Sequence, residues 1–245
     1  MKIGVKTFSN EQVLEHFKDK VDFFEIMAVE KNDYDFLKKF KLPIVIHAQH
    51  SRFNIDYADK LKKEINLKSI NFAIDLANKT KSNKIIVHPG SSQNKTCSKE
   101  QAIDFLKNID DKRILIENLI PLEDSIGLTP LDIKEFLDKT NKKFCLDINH
   151  AIETATSLKQ DYIQVIKEFL KLKPIHYHLG GQIIKESKTH LSLEDSDFDI
   201  KEIISLLPKN AEITLETTMD IDKLDKDVEI IKKIINELDN YNANK

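Results

Sequence analysis

Short apolar, β-branched runs recur along this chain at residues 2–8, 22–28, 43–49, 84–90, 113–119, 143–149, 174–180 and 212–218. Between them, as in residues 57–79, apolar positions fall three and four apart. Runs in which apolar residues follow one another predict strands buried on both faces, and the three-and-four spacing predicts amphipathic helices with one face on a core. Strand then helix, repeated eight times, predicts an α/β chain whose parallel sheet closes on itself. The expected fold is a single (β/α)8 TIM barrel over residues 1–245, with a frayed tail from about residue 238. An open doubly wound sheet alternates in the same way, but it usually carries a glycine-rich phosphate loop, and the whole chain has five glycines.

The ends of the runs change the picture from fold to chemistry. From the third onward, each apolar run finishes in side chains that can ligate a metal: His47 in IVIHAQH, His88 in KIIVHPG and Glu117 in ILIENL. The series continues with Asp147 and His150 in FCLDINH, His176 and His178 in IHYHLGG, and Glu216 in ITLETT. In a parallel barrel the C-terminal strand ends meet at one face, so these side chains converge although they are far apart in sequence. Seven of the eight histidines are expected at that end, with four or five carboxylates; His16, in a helical stretch, is expected on the surface. Carboxylates gathered at an apolar barrel mouth repel one another and lose hydration, and a divalent cation relieves both costs. Imidazole with carboxylate and no thiolate suits zinc, with manganese or iron as alternatives. One glutamate serving two ions allows a dinuclear centre. His50 and His176 read as hydrogen-bonded structural residues, His176 one layer below His178. Glu25 in FFEIMA either pairs with a buried base or touches substrate.

Composition narrows the setting. With 40% hydrophobic and 32% charged residues the chain has material for a sizeable core, and its net charge of -3 excludes the strongly basic body that non-specific nucleic-acid binding favours. No apolar run approaches the ~18 residues of a membrane span and the N-terminus lacks a signal-type apolar segment, so a cytoplasmic protein with no membrane contact and no obligate protein partner is expected. Cys97 and Cys145 form no CxxC, and Cys145 reads as a core thiol.

Together these residues resemble the xylose-isomerase-like barrel superfamily, and within it the endonuclease IV family of apurinic/apyrimidinic endonucleases. The similarity runs from Pro43 to about Thr218 through VHPGS at 87–91, IEN at 116–118, CLDINHA at 145–151, HLGG at 178–181 and LET at 215–217. It implies a zinc site of two or three ions: His47, His88 and Glu117 for one, and Glu117, Asp147, His178 and Glu216 for a second. His150 and His190 would serve the third with an aspartate, but Lys188 stands at the aspartate's position and an ammonium cannot ligate. The third site is therefore expected weak or empty, with Lys188 contacting a phosphate or carboxylate instead. The seventh-strand Asn-Asp of the family is Gly180-Gly181 here, and the glycines that follow its His motif are Glu194 and Ser196.

Two chemistries follow. The first is metal-dependent phosphodiester hydrolysis on DNA or a related phosphate substrate, with Glu117 and Glu216 catalytic and Arg52 and Glu25 as further substrate contacts. The second is sugar isomerisation or epimerisation on a single ion held by Glu117, Asp147, His178 and Glu216, Glu117 and Glu216 exchanging protons with the substrate carbon. A degenerate barrel that binds metal without turnover is the third reading. His47 and His88 separate the first two, because only hydrolysis requires both as ligands.

Overall fold

A computed structural model of the chain describes residues 1–92, 94–122 and 125–243. Eight parallel strands close into a barrel: β1 (Lys2–Thr7), β2 (Phe23–Ala28), β3 (Ile44–Ala48), β4 (Ile85–Val87), β5 (Ile114–Glu117), β6 (Lys143–Asp147), β7 (His176–Leu179) and β10 (Glu212–Leu215). Between β7 and β10 the chain inserts an antiparallel hairpin, β8 (Gly181–Ile183) with β9 (Lys188–Leu191). Each barrel strand lies inside one of the eight apolar runs.

The helices are α1 (Glu11–Phe17), α2 (Lys63–Thr80), α3 (Lys99–Lys107), α4 (Pro130–Thr140), α5 (Ile148–Ser157), α6 (Tyr162–Leu170), α7 (Ile200–Leu206) and α8 (Ile221–Ala243). They do not alternate one for one with strands. β2 reaches β3 through a 3-10 turn at Asp35–Lys39, whereas β6 reaches β7 through both α5 and α6. The helical segment expected at 57–79 begins later, at Lys63. Asp56 and Asp59 accept hydrogen bonds from the N–H groups of Ala58 and Leu61, and this local capture competes with helical pairing. Part of the segment expected to fray from about residue 238 belongs to α8, which runs on to Ala243; Asn244 and Lys245 lie outside the described residues.

Period two along each strand divides the core. Outward residues such as Val5, Phe24, Ile46, Ile116, Leu146 and Ile213 pack beneath the helices. Inward residues Phe23, Val45, Ile86, Leu115 and Cys145 form a separate cluster that fills the barrel floor. The Phe23 ring occupies space that any side chain at position 4 would need, since a Cβ on Gly4 would stand 2.2 Å from it. Two residues further along each strand, on the same inward face, come Lys6, Glu25, His47, His88, Glu117, Asp147, His178 and Glu216. An apolar floor thus supports a ring of charged and imidazole groups.

Candidate metal centre

Strand register places the ring. Glu117 pairs with Cys145, Asp147 with His178, and Thr214 with His178, so ligand-type side chains of neighbouring strands stand at adjacent levels. Two groups have potential ligand atoms within 4.8 Å of one another: His47, His88 and Glu117, and Glu117, Asp147, His178 and Glu216. Glu117 is common to both. A third such group, Glu25 with His176 and His178, is fully buried and shares His178 with the second.

The hydrogen bonds fix which atoms face the centre. His47 gives its Nδ1–H to the Ala48 carbonyl (2.8 Å), so Nε2 carries a lone pair and meets Glu117 Oε2 at 3.1 Å. His178 gives Nε2–H to Glu25 Oε2 (3.0 Å), leaving Nδ1 at 3.2 Å from Glu117 Oε1, 3.0 Å from Glu216 Oε2 and 3.8 Å from Asp147 Oδ2. A lone pair facing carboxylate oxygens at such distances is repulsive unless a proton or a metal ion sits between them. Glu216 Oε2 is buried without a hydrogen-bond partner among the described residues, and His88 Nε2 lies 3.2 Å from Glu117 Oε2. Asp147 caps α5 through Oδ1, which accepts from the His150 N–H at 2.8 Å, and so presents Oδ2 inward. The donor chemistry therefore fits divalent metal at two groups that share Glu117, with a carboxylate, Glu25, orienting one imidazole of the second group from behind.

Without a cation the site stores charge in protons. Burial opposes charge on His178, but Cys145, Glu25, Glu117 and Glu216 around it raise its pKa well above the ordinary histidine value. Burial likewise opposes ionisation of Glu117, yet His178 and His88 hold it well below the usual carboxylate range. Burial raises Asp147, and burial lowers His88 and takes His176 down to about 4.

The sequence-derived site residues divide into those the barrel brings together and those it does not. His47, His88, Glu117, Asp147, His178 and Glu216 converge. His150 turns its Nδ1 to the Asn118 carbonyl (2.8 Å), and His190 directs Nδ1 to the Glu216 carbonyl (3.0 Å) from a left-handed backbone (φ 58°). Their rings stand 6.4 Å apart at the rim, and neither belongs to a ligand group among the described residues. Lys188 is exposed on β9, where it pairs with the Glu186 carboxylate at 2.6 Å, and it is not among the residues that line the cavity. Glu25 is fully buried and accepts hydrogen bonds from His176, His178 and Thr214. Arg52 lines the cavity from the 3-10 turn Ser51–Phe53. Six histidines surround the mouth, since His176 packs in the layer beneath and His16 pairs outside with Asp225. His50 is more than a structural residue near a strand end, because it stacks on His88 at 4.5 Å and forms part of the cavity wall.

Three further residues escaped the sequence reading. Lys6 extends from β1 into the ring, with Nζ 2.7 Å from Glu216 Oε1 and 3.5 Å from Glu25 Oε1. Its signal was a charged residue on the inward parity of an apolar strand, two positions past Gly4. Asn118 and Asn149 clamp strand ends: Asn118 exchanges two hydrogen bonds with the Asp147 backbone (2.8 and 2.9 Å), and Asn149 does the same with Gly180 (2.6 and 2.9 Å). They hold β5, β6 and β7 in line where the ladder stops. Gly180 and Gly181 permit close backbone approach, for a Cβ would lie 2.6 Å from the Glu216 carbonyl oxygen at the first and 1.9 Å from that of Ser192 at the second. Above the ring opens a cavity of about 550 Å³.

The chain is 23% identical over 222 residues to an uncharacterized protein of Methanocaldococcus jannaschii, covering 84% of this chain and 75% of that protein. Its fold is similar to that of a D-tagatose 3-epimerase-like protein, with a TM-score of 0.79, 19% identity, and coverage of 98% of this chain and 99% of the other. Endonuclease IV from Thermus thermophilus superposes with a TM-score of 0.77 at 16% identity, covering 97% of this chain and 100% of the other. No helix among the described residues is long and apolar enough to cross a membrane. Residues 34–234 match the family described as xylose isomerase-like TIM barrel, to which the chain belongs.

Proposed function

We propose that this protein hydrolyses phosphodiesters with two divalent ions, zinc being the best match to its ligands. The observation that carries this reading is the position of His47 and His88 against Glu117: a single ion held by Glu117, Asp147, His178 and Glu216 would leave both imidazoles as substrate contacts, whereas two ions use both as ligands. Divalent ions bound there would make water a competent nucleophile at neutral pH and offset charge developing on phosphorus. The protein's own residues do the rest. Glu117 draws the two ligand groups together and orients what lies between them, Asp147 and Glu216 close the second group, and Glu25 keeps His178 in the tautomer that turns Nδ1 inward. Arg52 stands on the cavity wall as a cationic contact for a phosphate. The cavity admits a small diester or an extruded nucleotide sugar, and fold similarity to an endonuclease makes abasic-site DNA the first substrate to test.

A second reading, isomerisation or epimerisation of a sugar on one ion, is favoured by the four-ligand group Glu117, Asp147, His178 and Glu216, which is complete without His47 and His88. Incubating the zinc-loaded protein with an abasic-site duplex and with bis(p-nitrophenyl) phosphate separates the two. The hydrolase reading expects cleavage that Glu117→Gln abolishes. Absence of cleavage of either substrate, with interconversion of ketose epimers instead, would overturn it.

A further inference from the structure

Among the ring residues that line the cavity, Lys6 is the one that a metal centre alone does not require. An ammonium beside a metal ligand competes with the ion for that ligand, and Lys6 sits 2.7 Å from Glu216 Oε1. We propose that Lys6 donates a hydrogen bond to an anionic oxygen of the substrate and so selects phosphodiester monoanions for this site. The inference rests on the two-ion reading and specifies what that site takes.

Geometry supports the contact. An ammonium has three N–H donors. Lys6 gives one to Glu216; Glu25 Oε1, at 3.5 Å, accepts no hydrogen bond among the described residues. Donor capacity therefore remains on a side chain that lines the cavity together with His88, Glu117 and Glu216. Thr7, the next residue, also lines the cavity, and its buried hydroxyl oxygen has no hydrogen-bond partner among the described residues.

Charge points the same way. The carboxylates of the ring are Glu25, Glu117, Asp147 and Glu216, and Lys6 is the ammonium among them. Lys6 adds its positive charge to that of any cations these carboxylates hold, and Arg52 on the cavity wall adds another. An anionic diester offsets that positive charge, and a neutral sugar does not. Lys6 is also pinned on both sides, so it meets an incoming anion without reorganising.

The test compares the zinc-loaded full chain with Lys6→Met and Lys6→Arg, using inorganic phosphate as the probe in isothermal titration, and zinc content and thermal midpoint measured on the same samples. Losing a hydrogen bond to a charged group predicts phosphate affinity about tenfold or more lower in Lys6→Met. Lys6→Arg keeps the charge and retains most of the affinity. Zinc content stays at the wild-type value in both, because no ligand is removed and a competing cation is taken from Glu216 in the methionine variant. Unchanged phosphate affinity in Lys6→Met overturns the proposal, as does a zinc-loaded wild type that binds no phosphate. A fall in phosphate affinity matched by a fall in zinc content also overturns it, since Lys6 would then act only by maintaining the site. A wild type holding one zinc but showing the Lys6-dependent phosphate affinity would instead fail the two-ion reading and leave the Lys6 contact standing.

Discussion

Replacing Glu25 with glutamine keeps the side chain's shape and removes its charge, which makes it a sharp probe of the barrel interior. Glu25 Oε2 accepts from Thr214 Oγ1 at 2.8 Å, His178 Nε2 at 3.0 Å and His176 Nε2 at 3.2 Å, with the Lys6 ammonium 3.5 Å from the other oxygen. In the metal-free protein the substitution leaves Lys6 and a protonated His178 facing a neutral amide in a fully buried setting. Removing one partner of a buried ion pair costs about 3–5 kcal/mol. At about 2–4 °C per kcal/mol for a chain of this size, the thermal midpoint falls by about 6–20 °C. Burial opposes the charge on Glu25, but His178 and Lys6 hold its pKa well below the ordinary range. Its contribution is therefore complete above the unfolded-state value near 4.3 and is lost only as pH falls through the lower folded value. Circular dichroism melts in chelator at pH 7 measure the difference, which is expected to persist at pH 5. A midpoint within about 2 °C of wild type at pH 7 would refute the reasoning, because a buried carboxylate with four polar neighbours would then be dispensable.

Four other outcomes are expected. Zinc must displace a proton from His178, whose pKa is raised, so zinc affinity climbs with pH from 6 upward and levels off above the folded value, as a dye-competition titration at several pH values would record. The same shift means that His178 stabilises the metal-free protein fully below its unfolded value near 6.5 and less as pH rises through the folded one, so chelated protein melts earlier in alkali than zinc-loaded protein does. Gly181→Ala forces a Cβ against the Ser192 carbonyl oxygen and lowers stability by about 1–3 kcal/mol in denaturant titrations, with the β8–β9 hairpin displaced. Lys188→Ala removes only an exposed pair with Glu186, so zinc content is unchanged and stability moves by less than about 1 kcal/mol.

The barrel and its ligand ring were legible because both follow from local periodicity. Buried parallel strands are apolar on both faces, so the point where an inward residue turns polar, as at His47, Glu117 or Asp147, is visible in a linear sequence once the C-terminal ends are known to converge. Lys6 fails that rule only in appearance: its strand comes first, before the series of histidines and acids draws attention, and a lysine there looks like an edge residue until Phe23 and Gly4 show which face is inward. Glu25 was legible as a polar inward residue, but sequence does not report depth, and depth decides between touching substrate and orienting His178. Lys188 matched a family position by alignment of neighbouring HLSL residues, whereas the path of the hairpin turns its ammonium to Glu186. The missing helix between β2 and β3, and the doubled one between β6 and β7, lay beyond period counting because a run as short as the five residues of Asp35–Lys39 does not separate a 3-10 period from an α-helical one.

The claim on which the account depends is that the strand ends share cations across Glu117. Counting metal in the purified, zinc-equilibrated protein by plasma mass spectrometry, alongside anomalous diffraction from crystals, tests it most directly. Two ions per chain are expected, one against His47, His88 and Glu117 and the other against Glu117, Asp147, His178 and Glu216. A folded protein that takes up no ion, or one ion that leaves His47 and His88 uncoordinated, would contradict it.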